Sequence, residues 1–63
     1  MMLIDRIRIA KLRLQSMVSD NLSARKDVED NLKDAEALMN EGELESAHEC
    51  VVLAEEMLDF EGA

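Results

Sequence analysis

The stretch Ala35-Glu36-Ala37-Leu38-Met39-Asn40-Glu41-Gly42-Glu43-Leu44-Glu45-Ser46-Ala47 decides how this chain folds. Before it, Val28, Leu32, Ala35 and Met39 recur at 4-3-4 spacing, with Leu38 beside them. After it, Leu44, Ala47, Val51, Ala54 and Leu58 recur at 3-4-3-4 spacing. Both patterns lay one apolar stripe along a helix. Between them, Asn40-Glu41-Gly42 offers the left-handed residue that stops a helix, and the second stripe begins two residues later. So short a turn sets neighbouring helices antiparallel. The spacing predicts a helix over about 22–40, a turn at 40–43 and a helix over about 44–60. Asp27, Asp30, Lys33 and Asp34 lie opposite the first stripe, and Glu45, Glu49, Glu56 and Asp59 opposite the second. Cys50, Leu53 and Met57 widen the second stripe to roughly half the helix surface.

Upstream, Leu3, Ile7, Ala10, Leu14 and Met17 repeat at 4-3-4-3 spacing, with Ile4 and Val18 at the edges of the stripe. This predicts a helix over about 2–18. Ile9 and Leu12 project elsewhere, so the segment is apolar on more than one side. Arg6-Ile7-Arg8-Ile9 also alternates with the period of a strand, but the phase slips at Ala10 and no second strand is available to pair. Ser19, Asp20, Asn21 and Ser23 are helix-capping residue types and predict a break before the hairpin. No Gly or Pro enforces it, and the alternative is one helix from Leu3 to Asn40, about 57 Å long.

The chain of 63 residues is read as a single helical domain, 1–63. A core of this size supplies roughly 3–5 kcal/mol, and small natural domains add disulfides, a metal or a partner subunit. Cys50 is the only cysteine and His48 the only histidine, so one chain can close neither a disulfide nor a four-ligand zinc site. The fold expected is therefore all-α: a small helical bundle of two to three helices with an antiparallel hairpin, completed by dimerisation. The aliphatic composition with no proline and a single aromatic agrees with that class.

Charge is divided along the chain. Residues 1–26 hold six bases against two acids, net +4; residues 27–63 hold Lys33 and thirteen acids, net −12; together they give −8. One end is built to lie on the other, or on the other end of a second copy.

Within 35–58 the spacing Ala35, Leu38, Gly42, Ala47, Val51, Ala54 resembles one tetratricopeptide repeat, a helix–turn–helix with small residues where its helices touch. The likeness covers about a third of the chain. It departs at Asn31 and Asp34, where the repeat carries an aromatic and a leucine, and at Asp59, where it carries a proline. A solenoid needs about three repeats to bury its faces, so the resemblance implies hairpin geometry alone. In length, acidity and hairpin content the chain is also similar to small plasmid-encoded helical dimers of the Rop type, a likeness of architecture.

Candidate chemistry is sparse. Glu45 and His48 have the Glu-x-x-His spacing of di-metal bundles. However, about 100° per residue turns both away from the stripe centred near Ala47, whereas such ligands project inward. His48 and Cys50, two apart on a helix, point away from each other and form no nucleophile–base pair. Cys50 sits on the apolar stripe as a small core residue. No catalytic residue, metal ligand or cofactor site is assigned, and the expectation is a protein that is not an enzyme.

The basic face of the first segment (Arg6, Arg8, Lys11, Arg13) has the charge to hold phosphates, but no Trp or Tyr offers a stacking platform and the net charge repels nucleic acid. The first residues read as no secretory signal, because Asp5, Arg6 and Arg8 interrupt them. No run is apolar enough to span a membrane, and one unpaired cysteine fits a cytoplasmic location. The expected function is a non-catalytic helical protein–protein interaction module: an adaptor, chaperone or regulatory protein acting as a homo-oligomer. Leu3, Ile4, Ile7, Leu14 and Met17 are expected at the partner or dimer interface, with Arg6 and Arg13 setting orientation. The alternative is a regulator of a nucleic-acid pathway, either an acidic DNA mimic or a Rop-like RNA-binding dimer.

Overall fold

The computed structural model describes residues 2–17 and 21–62. They form three helices: α1 (Leu3–Gln15), α2 (Leu22–Asn40) and α3 (Leu44–Gly62). The long dimension is 34 Å, close to the roughly 28 Å of a 19-residue helix, so the helices lie side by side. Pairs between the helices fix their directions. Asn21 reaches Glu61 and Asn31 reaches Met57, so α2 and α3 are antiparallel. Arg6 meets Glu55 and Arg13 meets Asp59, so α1 runs parallel to α3, while Lys11 meets Glu36 across an antiparallel α1–α2 contact.

The turn at Gly42 takes the form the sequence called for. Gly42 has φ +80°. Its N–H donates to the Met39 carbonyl at 3.0 Å, and the Glu43 N–H donates to the Leu38 carbonyl at 2.8 Å. These two bonds close a Schellman motif and satisfy carbonyls that the end of α2 would leave orphaned. A break, not a continuous helix, separates α1 from α2. The Ser16 N–H still reaches back four residues to the Leu12 carbonyl, but the Met17 N–H reaches only three, to Leu14, so the last turn tightens and stops. Asn21 then opens α2, its side-chain oxygen accepting from the Ala24 N–H at 3.1 Å. Helix α1 ends at Gln15, short of the expected end near 18; Val18, Ser19 and Asp20 lie outside the described residues.

The core is the inner stripe of each helix: Ile7 and Ala10 from α1, Val28, Leu32 and Ala35 from α2, and Ala47, Val51, Ala54 and Leu58 from α3, with Met17 just past the end of α1. The α2–α3 contact is the most extensive of the three. Three of its central residues, Ala35, Ala47 and Ala54, are fully buried alanines, and small side chains there let the two backbones approach closely. Among the described residues no polar side chain is buried. Two residues of the expected third stripe fall outside the core. Leu44 is 58% exposed and Leu53 51% exposed: Leu44 opens α3, and Leu53 lies on an edge of the stripe that two neighbouring helices do not reach.

Candidate interaction surface

Helix α1 carries the residues expected at a partner interface, and the structure gathers them on its inward face. Ile7 is 1% exposed and Met17 is buried. Leu3 and Leu14 pack against the same core, and Ile4 is half-buried. Arg6 lies along the α3 side, donating from Nε to Glu55 Oε2 at 3.3 Å and from Nη2 to Oε1, a two-point clasp. Arg13, seven residues on, reaches Asp59, four residues beyond Glu55, and on the opposite flank Lys11 meets Glu36 of α2. The basic end of the chain thus lies on its own acidic hairpin.

The Arg6–Glu55 pair is the most sheltered of these, with both side chains 28% exposed. Glu55's hydrogen bond and negative charge hold the Arg6 guanidinium above its ordinary pKa, against a smaller opposing effect of burial. Arg6 Nη1 also lies 3.2 Å from His48 Nδ1, a contact in which the guanidinium donates and an unprotonated ring nitrogen accepts. His48 therefore sits beside a cation on the α1 flank of α3. Cys50, by contrast, packs at the edge of the core. Among the described residues no three His, Cys, Asp or Glu side chains converge as metal ligands, and Glu45 and His48 share only an open surface depression with Leu44 and Glu49. No helix among the described residues is long and apolar enough to cross a membrane.

With α1 committed inward, the surface available to a partner is what the bundle leaves uncovered. On α1 this is the outer face, where Ile9 is 44% and Leu12 63% exposed. On α3 it is the side beyond Cys50, where Leu53 and Phe60 stand out, Phe60 at 84% exposed. The double-sided apolarity of α1 was legible from Ile9 and Leu12 falling off the main stripe. The α3 face was harder to see, because Leu53 and Met57 merged with the core stripe and Phe60 stood apart from both. Its signal is a second 3-4-3 repeat, Cys50, Leu53, Met57 and Phe60, running beside the core repeat.

No protein-family model, curated protein or solved structure matches the chain.

Proposed function

We propose that this chain is a non-catalytic helical interaction module that self-associates and binds protein partners through helix faces its own bundle leaves bare. The observation that carries the reading is the exposure of large apolar side chains at helical spacing on α1 and α3 around a core that buries no polar side chain among the described residues. Self-association is assigned to α1. Its outer face combines Ile9 and Leu12 with both signs of charge, Asp5 and Arg8. Two antiparallel copies set unlike charges opposite each other about a two-fold axis. The outer face of α3 flanks its apolar residues with Glu49 and Glu56 and no base, and two copies of it repel.

Sedimentation velocity across a concentration series tests the assignment. The parent chain is expected to dimerise, and Leu12→Asp to remain a folded monomer. A parent chain that stays monomeric at the highest soluble concentration overturns the self-association. An oligomer unchanged by Leu12→Asp overturns the face.

A further inference from the structure

We infer that the back of the α2–α3 hairpin, the side away from α1, is a docking groove for a cationic amphipathic helix of another protein. The inference rests on the interaction-module reading above and names the chemistry of its partner.

The floor of the groove comes from both hairpin helices. On α3, Cys50, Leu53, Met57 and Phe60 fall at 3-4-3 spacing, so they share one face. Asn31 Nδ2 lies 3.9 Å from Met57 Sδ, which sets this face beside α2. Leu38, seven residues on from Asn31 along the same side of α2, is half-buried at the other end. Leu53, Met57 and Phe60 already line a surface hollow with Glu56 and Glu61.

Acids rim the groove on both sides. Asp27 and Asp34, four residues before and three after Asn31, follow its face of α2. Glu49 and Glu56 flank the apolar repeat of α3 in the same way. All four are exposed, and none takes part in the ion pairs among the described residues.

The occupant's chemistry follows from what the same hairpin already holds on its other side. There α1 lies with an apolar stripe inward and bases along both flanks, Arg6 and Arg13 toward acids of α3 and Lys11 toward an acid of α2. The back face repeats those terms: an apolar seam between two acidic helices, with no further cationic helix among the described residues to cover it. The α1 of a second copy is a poorer fit. Its inward stripe is spent, three of its bases are paired with its own hairpin, and its outer face offers, among the described residues of the helix, only Ile9 and Leu12 as large exposed apolar side chains. A helix from another protein, apolar on one face and rich in Lys or Arg on its flanks, meets both requirements.

The test uses the whole chain and a labelled peptide of about 18 residues built from Leu and Lys, with leucines at helical spacing on one face. Fluorescence anisotropy is expected to show saturable binding. An isomer with its leucines spread around the helix, and an analogue with Glu for Lys, should each bind at least about tenfold more weakly. Leu53→Ser with Phe60→Ser, both exposed positions, should weaken binding of the first peptide by a similar factor while circular dichroism stays unchanged; Ile9→Ser with Leu12→Ser should leave it intact. Equal binding of the spread isomer overturns the groove in favour of bulk charge. Equal binding by the Leu53/Phe60 variant overturns its location, and loss only in the Ile9/Leu12 variant moves the partner to α1. The sedimentation experiment probes the α1 face separately, so a failure here leaves the dimerising face standing, and the converse holds.

Discussion

The two interfaces of this small bundle are built on different terms. Where α2 meets α3, fully buried alanines alternate with buried Val28, Leu32, Val51 and Leu58 between antiparallel helices joined by a short turn. Where α1 lies on that hairpin, the contact is a narrower stripe, led by Ile7 and Ala10 and fenced by ion pairs to Glu55, Asp59 and Glu36. The first interface is local in sequence and closed by shape. The second is the less extensive contact, and its α3 side joins residues 46 and 49 positions apart in the chain. The hairpin should therefore behave as the foundation and α1 as a docked element whose chemistry an outside helix can imitate.

The largest expected effect comes from breaking the foundation. Ala54→Asp places a carboxylate at a fully buried position in the alanine seam. Removing a charge from water without a partner costs several kcal/mol, comparable to the whole stability of a domain this size. Far-UV circular dichroism should show cooperative loss of all three helices. Survival of native helicity at neutral pH would show that the seam is looser than its burial implies.

Next comes the docked helix. Ile7→Ala removes the largest fully buried side chain of α1, with an expected cost of about 2–5 kcal/mol. Hydrogen exchange should report the loss unevenly: amides of α1 lose protection first, and those around Ala35 and Ala54 last. Uniform loss at every amide would erase the distinction between foundation and docked element, making the bundle a single cooperative unit.

A smaller effect is expected at the hairpin turn. A Cβ at Gly42 meets no atom within 4 Å, so space is not what restricts the position. The restriction is φ +80°, which costs a residue with a side chain roughly 1–2 kcal/mol. Gly42→Ala should lower the midpoint of denaturant unfolding with its slope unchanged. A drop in the slope would indicate that the helices have changed their pairing.

The hairpin was legible in the sequence because each of its determinants is local: two stripes of period 3.6, a glycine at the stop, and an asparagine that caps α2 at the start. The interior positions Val28, Leu32, Ala35, Ala47, Val51, Ala54 and Leu58 were readable for the same reason. What would cover α1 was not. From the sequence, the best stripe of α1 looked like a surface for another molecule, since nothing local says whether an amphipathic helix will be covered by its own chain. The charge division held the answer in coarse form, a basic end made for an acidic one, but not the registers Arg6–Glu55 and Arg13–Asp59. Leu53 shows the converse difficulty. A stripe spanning half a helix gives no sign of which edge will be left exposed once only two neighbours pack against it.

The smallest expected effect concerns those ion pairs, and it separates holding from guiding. Arg6→Gln, Lys11→Gln and Arg13→Gln together remove every base seen to cross from α1 to the hairpin among the described residues. Long-sided pairs this exposed are screened by water and salt and contribute little each. The thermal midpoint should fall less than it does for Gly42→Ala, and about 1 M NaCl should reproduce most of the change in the parent chain. Register is where the loss should show. Ile7 and Ala10 are the most buried part of a stripe that Leu3, Leu14 and Met17 extend, and a shift of α1 by one turn along the hairpin would part Arg6 from Glu55, Arg13 from Asp59 and Lys11 from Glu36. Paired cysteines introduced at Arg13 and Asp59, in a Cys50→Ser background that leaves no other thiol, should be joined by a short bismaleimide cross-linker more readily when Arg6 and Lys11 are retained than when both are glutamine. Equal rates would mean that the apolar stripe alone sets the register, and would remove charge matching as the feature an incoming cationic helix shares with α1.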